Sequence, residues 1–155
     1  MLSQLAKLSL AADGRYATAT EVQFLRDYFK SFNLRLSAYQ KIQAAEQEII
    51  RQAQANVQSI DASLLSNGSE DATSKWRLDT LRVLRHTAAA LLINDAERLQ
   101  NRFILWFKTV LRALDVERSA DITHQVMLDV VRQYLTPEEA ALFSPLWELN
   151  RLEKE

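Results

Sequence analysis

Glycine and proline are nearly missing from this chain. Two glycines, Gly14 and Gly68, and two prolines, Pro137 and Pro145, are all that 155 residues contain. A β-rich fold turns on glycine-type residues about every 8–12 positions. A doubly wound α/β fold needs glycines in its phosphate-binding loops. Neither can be built from this supply, so the chain is predicted to be all-α. Its length suits one domain with a sizeable core.

Composition narrows the function classes. Hydrophobic residues make up 48%, which excludes bulk disorder. The formal charge is −1, without the basic excess of a dedicated nucleic-acid binder, so no nucleic-acid partner is expected. There is no cysteine, which removes disulfides, zinc–thiolate sites, Fe–S clusters and thiol nucleophiles. No apolar run approaches the roughly 18 residues of a transmembrane helix. Met1 to Leu10 lacks a basic start followed by a long apolar stretch, so no secretory leader is expected.

Hydrophobic spacing predicts a row of helices. Leu2, Leu5 and Leu8 mark a short one that stops at Asp13-Gly14, where glycine suits a left-handed turn. Thr18-x-x-Glu21 forms a capping box for the next. Its stripe is Val22, Leu25, Phe29, Phe32, Leu36 and Tyr39. A second stripe, Ile42, Ala45, Ile49, Ala53 and Val57, is rotated from the first and suggests a break near Tyr39–Glu46. Residues 66–71 read as a polar loop. A helix over about 74–94 follows, with Leu78, Leu81, Leu84, Ala88 and Leu91 inward. The next carries Leu99, Phe103, Trp106, Val110 and Leu114, and another Ile122, Val126, Val130 and Tyr134. Thr136-Pro137-Glu138-Glu139 is a helix start, and Pro145 should kink or divide that last helix. Pieces of such unequal length suit a globin-like packing better than a four-helix bundle.

Catalytic and metal chemistry find little support. His86 and His124 lack metal-ligand spacing and no pocket is assigned to either. Glu46/Glu48 read as a solvated face, and Glu138/Glu139 as helix capping rather than acid–base pairs. No nucleophile motif or phosphate loop is present, so no enzyme activity is expected. Residues 75–112 hold eight cations against three anions. They read as arginine-rich solvent faces in preference to a site for an acidic partner. Phe103, Trp106 and Phe107 read as core. Trp76, at a helix start, is either a packing residue or an anchor.

Ala12-Asp13-Gly14-Arg15-Tyr16-Ala17-Thr18-Ala19-Thr20-Glu21 and the later Glu46-Gln47-Glu48-Ile49-Ile50-Arg51-Gln52-Ala53 resemble the phycobiliproteins, the allophycocyanin and phycocyanin subunits of photosynthetic antennae. Helix order and loop placement agree along essentially the whole chain. The resemblance implies a globin-like core, placed at 33–155, preceded by an N-terminal helical hairpin, placed at 1–32. It also locates a departure. The family attaches bilin to the cysteine of a Cys-x-Arg-Asp motif that precedes a Leu-Arg pair. Anchoring on Leu84-Arg85 puts Trp76-Arg77-Leu78-Asp79 at that motif. The acid survives as Asp79, Leu78 replaces the arginine and Trp76 the cysteine. No covalent pigment, and no other cofactor, is expected. Trp76 and Asp79 are candidates for a blocked pocket, with non-covalent bilin as an open alternative.

The resemblance further implies a dimer, homotypic or with another phycobiliprotein-like subunit, in which Asp13 meets Arg85 across the interface. Leu2, Leu5 and Leu8, with Arg15, Tyr16, Phe24 and Tyr28, are the other expected interface residues. A pigment-free chain of this kind implies a binding or regulatory protein of the antenna, in the cytoplasm and peripheral to the thylakoid through antenna or photosystem partners. The alternative is a globin-like sensor domain that binds a small ligand.

Overall fold

In a computed structural model the described residues, 1–65 and 70–152, are 82% helical and contain no strand. Helix α1 (Leu2–Ala11) is followed by an irregular link and by α2 (Gln23–Ile60), which ends in a short 3-10 turn at Ala62–Leu64. Helix α3 is Glu70–Ile93. Two short segments, α4 (Ala96–Leu99) and α5 (Leu105–Ala113), are joined without interruption by a π turn at Gln100–Ile104. Helices α6 (Glu117–Arg132) and α7 (Pro137–Glu148) complete the fold. Of the predicted loop at 66–71, residues 66–69 lie outside the described residues, and α3 already includes Glu70 and Asp71.

Local signals set several boundaries where the sequence places them. Gly14 takes φ +72, the left-handed stop after α1. The Thr18–Glu21 capping box forms, with Thr18 N–H donating to Glu21 Oε2 at 2.9 Å and Glu21 N–H to Thr18 Oγ1 at 3.2 Å. Regular α2 begins one turn later. Thr136 and Glu139 form a second capping box, with Pro137 in the first turn of α7.

Several expectations are corrected. The break near Tyr39–Glu46 does not occur, and α2 runs unbroken for 38 residues through residue 32 as well. A stripe stepping slightly out of phase with 3.6 residues per turn drifts around a straight helix, so rotation alone requires no break. The proximal stripe is also one position off. Tyr28, Arg35 and Ala38 are buried, whereas Phe29 and Phe32 are exposed. Pro145 does not divide α7, because Phe143, Leu146 and Trp147 are buried on both sides of it and hold the last turn in place. Trp106 is 62% exposed rather than core. A π turn closes i→i+5 bonds and adds one residue to the turn. Phe107 and Leu111, four and eight residues beyond the buried Phe103 of the turn, therefore face inward, and Trp106 rotates outward. Leu78 and Leu114, also predicted inward, are exposed.

The core runs along α2 and under α7. Ile42, Ile49, Ala53 and Val57 meet Leu84 and Leu91 of α3, Met127 and Val130 of α6, and Phe143 and Trp147 of α7. Each such side chain removed from water stabilises the fold by about 1.5–3 kcal/mol. The α3–α4 corner is tied by polar groups instead. Arg35 donates to the Leu91 carbonyl at 2.9 Å and Tyr28 Oη to the Leu92 carbonyl at 3.0 Å, satisfying carbonyls that a helix end leaves open. Asn94 follows in the left-handed region at φ 48. Asp95 then caps α4 through Arg98 N–H at 3.0 Å and also takes Ser3 N–H and Ser3 Oγ, each at 2.8 Å. Helix α1 is thus held to the corner of its own chain.

Candidate functional site

The turn-shifted inner face of α5, the first half of α3, the start of α6 and the residues after α7 border a half-open cavity of about 360 Å³. Its walls are mainly apolar: Leu64, Leu65, Val83, Phe107, Leu111, Leu114 and Val116, with the indoles of Trp76 and Trp147. Lys75, Asp79, Thr80, Thr123, His124, Asn150 and Arg151 supply the polar groups.

Trp76 and Asp79 lie one helical turn apart on α3 and both line this space. The indole lines it. Its Nε1–H donates to Thr123 Oγ1 across the cavity edge at 2.9 Å, which fixes the ring as a wall and leaves the volume beside it open. Asp79 pairs with Arg82, one turn further along, at 3.6 Å. Arg151 is engaged by Asp121 at 3.3 Å.

The floor is an aromatic lock. Trp147 stacks on Phe143 with ring centroids 5.6 Å apart and on His124 at 5.8 Å. Trp147 Nε1–H donates to the His124 carbonyl at 3.0 Å. His124 Nε2 lies 3.2 Å from the Trp147 carbonyl, and since a carbonyl only accepts, that nitrogen carries the proton. Burial pushes the imidazole below its ordinary value of 6.5, against the opposing pull of the Trp147 carbonyl and Glu148. Burial therefore favours the neutral imidazole. No group of three or more His, Cys, Asp or Glu among the described residues could hold a metal ion. Shape, aromatic faces and hydrogen bonds are what the cavity supplies, and these suit binding.

Sequence context marked neither His124 nor Asn150. The available signal was spacing: His124 stands three and four residues before Met127 and Leu128, which puts it on the buried stripe of α6. Asn150 lies beyond α7 and follows no periodicity.

The expected interface residues lie apart from the cavity. Leu2 is exposed, Leu5 and Leu8 are half-buried, and α1 buries no residue. Asp13 and Tyr16 are exposed, Tyr16 at 98%. Arg15 holds Glu21 at 2.8 Å, and this guanidinium, with the Thr18 amide, depresses the Glu21 carboxyl to about 2. Phe24 is half-buried. Tyr28, expected on an outward face, is buried with its hydroxyl committed to Leu92, while Phe29 and Phe32 pack their rings about 6 Å from it and reach solvent. Arg85 holds Glu46 of its own chain through two bonds of 2.9 and 2.6 Å, which lowers the Glu46 pKa.

The profile of the phycobilisome protein family matches residues 8–150, nearly the whole chain. The chain belongs to the phycobilisome protein family. Its fold is that family's globin-like all-α fold. No curated protein matches the chain. Members of the family are structural light-harvesting proteins that normally hold bilin through cysteine. This member has no cysteine, so it cannot form that thioether. No helix among the described residues is long and apolar enough to cross a membrane.

Proposed function

We propose that this protein is a pigment-free phycobiliprotein relative that works by binding antenna subunits, in their assembly, docking or turnover. The observation that carries this reading is the apolar surface around the N-terminal segment. Leu10 is 81% exposed, Tyr16 98% and Phe29 69%, and Phe32, one turn after Phe29 on α2, is also exposed. Exposed apolar surface of this kind suits a partner. Residues 1–32 would serve as the docking segment against a second phycobiliprotein-like subunit, homotypic or heterotypic. In a two-fold dimer Asp13 of each chain meets Arg85 of the other and competes with Glu46 for its guanidinium. Apolar burial supplies the affinity and the ion pair sets the geometry. Such partners would hold the protein in the cytoplasm beside the thylakoid.

Sedimentation velocity at tens of micromolar tests this, on the protein alone and mixed with purified phycocyanin and allophycocyanin subunits. A dimer or a mixed complex is expected, weakened in Asp13→Ala and more strongly in Phe29→Ser. A chain that stays monomeric and leaves both antenna subunits unshifted would sink the proposal.

The cavity favours a second reading, a globin-like sensor of a small ligand. Non-covalent bilin belongs to the same test. A visible band retained through gel filtration after incubation with biliverdin would assign the cavity to pigment, and a colourless protein would remove that option.

A further inference from the structure

Residues 98–114, which cover the π turn and α5, hold Arg98, Arg102, Lys108 and Arg112 and no aspartate or glutamate. None of these four side chains pairs with a carboxylate among the described residues, whereas Arg51, Arg82, Arg85 and Arg118 all do. The acids at either end leave them unneutralised. Glu97 is taken by Lys7, and Asp115 lies beyond the end of α5.

Helical phase sorts this stretch. Phe107 and Leu111 face the cavity, so the opposite side carries Arg102, Leu105, Trp106, Thr109 and Arg112, and all five are exposed. Leu105 is 55% exposed, close to the figure for Trp106 beside it. The Trp106 ring leans on Phe103, with centroids 6.4 Å apart, and its outer part meets solvent. Trp76 gives its indole N–H to Thr123 and Trp147 gives its own to the His124 carbonyl. The N–H of Trp106 has no partner among the described residues. An apolar pair with a free donor thus stands between two exposed, unpaired arginines.

The shape of this face narrows what can cover it. The outer side of a single helix is a ridge, not a cleft that seats a peptide, and none of the five lines the cavity. An apolar ridge flanked by arginines suits a flat anionic surface with an oily interior. There an indole sits at headgroup level with its N–H toward polar groups, and arginine stems lie along apolar surface while their heads reach phosphate. We propose that the outward face of α5 binds the surface of an anionic lipid bilayer. Leu105 and Trp106 enter the boundary between headgroups and acyl chains, and Arg102 and Arg112 meet lipid phosphates. Arg98 and Lys108 add long-range attraction. The chain carries a formal charge of −1, so its net charge does not drive the contact. The face uses no residue of the proposed docking segment and not Arg85, so it stands apart from binding to antenna subunits.

Vesicle flotation tests this on the intact chain, using phosphatidylcholine and phosphatidylglycerol in equal parts against phosphatidylcholine alone. Wild type is expected on the mixed vesicles only, released by added salt, with a blue shift of tryptophan emission. Arg102→Gln combined with Arg112→Gln should weaken partitioning about 25-fold, since each cation near such a surface contributes about fivefold. Trp106→Ala should weaken it about tenfold and abolish the blue shift. These positions are exposed, so the variants should keep the wild-type circular dichroism. Arg26→Gln combined with Lys30→Gln removes the same charge from the exposed side of α2 and should leave binding unchanged. Absence of wild type from the mixed vesicles at low salt would overturn the proposal. So would an equal loss in the α2 variant, wild-type binding by Trp106→Ala, or soluble polyglutamate displacing the vesicles from this face, which would assign it to an acidic protein.

Discussion

Helix α1 buries no residue, whereas α7 buries Glu139, Phe143, Leu146 and Trp147. The first is attached by polar groups: Ser3 to Asp95 at 2.8 Å, the N-terminal ammonium to Asp95 at 3.5 Å, and Lys7 to Glu97 at 2.6 Å. The second is attached by close-packed rings under the cavity, plus one buried carboxylate. The Lys7–Glu97 pair is exposed and exchanges for water at small cost, whereas Asp95 is itself buried and gains its partners from Ser3 and the N-terminus. Buried rings have no such substitute. One end of the molecule is thus held by buried rings, and the other by a few polar ties with no buried side chain of its own.

Four substitutions sharpen or break that contrast. Trp147→Ala removes the centre of the lock between His124 and Phe143 and should destabilise the protein by about 3–5 kcal/mol in urea denaturation.

Glu139→Gln comes next, at on the order of 2 kcal/mol, since hydrogen bonds to a charged group are worth more than neutral ones. The carboxylate takes Ser37 Oγ at 2.7 Å, Lys41 Nζ at 2.9 Å and the Thr136 amide at 2.9 Å. Burial alone would raise its pKa, but Lys41, the Thr136 amide and Ser37 together hold it below its ordinary 4.5. Because the folded pKa is depressed, its stabilisation is complete above the unfolded value and is lost as pH falls from about 4.5 through the folded value. Denaturation midpoints at stepped pH should fall more steeply across that interval in wild type than in Glu139→Gln. Parallel curves would remove Glu139 from the account.

Asp95→Ala should cost about 1–2 kcal/mol through loss of the α4 cap. Its distinguishing effect is local. Amide exchange over residues 2–11 should accelerate far more than exchange in α7. If Asp95→Ala unfolded the protein as severely as Trp147→Ala, the proposed difference between the two ends would be wrong.

Arg85→Ala is expected to have the smallest effect on stability, leaving the denaturation midpoint at the wild-type value, because its pair with Glu46 is 60% and 20% exposed. Its effect belongs to assembly. The same variant should weaken the proposed dimer in sedimentation, and a variant that altered folding without altering association would exchange these roles.

Much of the helical layout was legible because its signals act within one or two turns. Gly14, the two capping boxes and Pro137 each place a helix end through atoms a few residues away. The lack of a thioether site follows from composition alone. The site was legible in part. Trp76 and Asp79 could be aligned with a family motif, but sequence could not tell a ring that fills a cavity from one that lines it. That distinction depends on Thr123, 47 residues away, which holds the indole at its edge.

Sequence by itself determined that this chain is all-α, where several helices begin and end, and that no cysteine holds a bilin. Tertiary structure decided the rest. It set the phase of α2, burying Tyr28 and exposing Phe29. Through the π turn it sent Trp106 to the surface and kept Phe107 at the inner face. It also gave Arg85 to Glu46 and left Asn150 Oδ1 without a partner. The physical reason is range. Caps and turns are satisfied by neighbours along the chain, whereas the burial of a face and the pairing of a polar atom depend on elements brought together from across it.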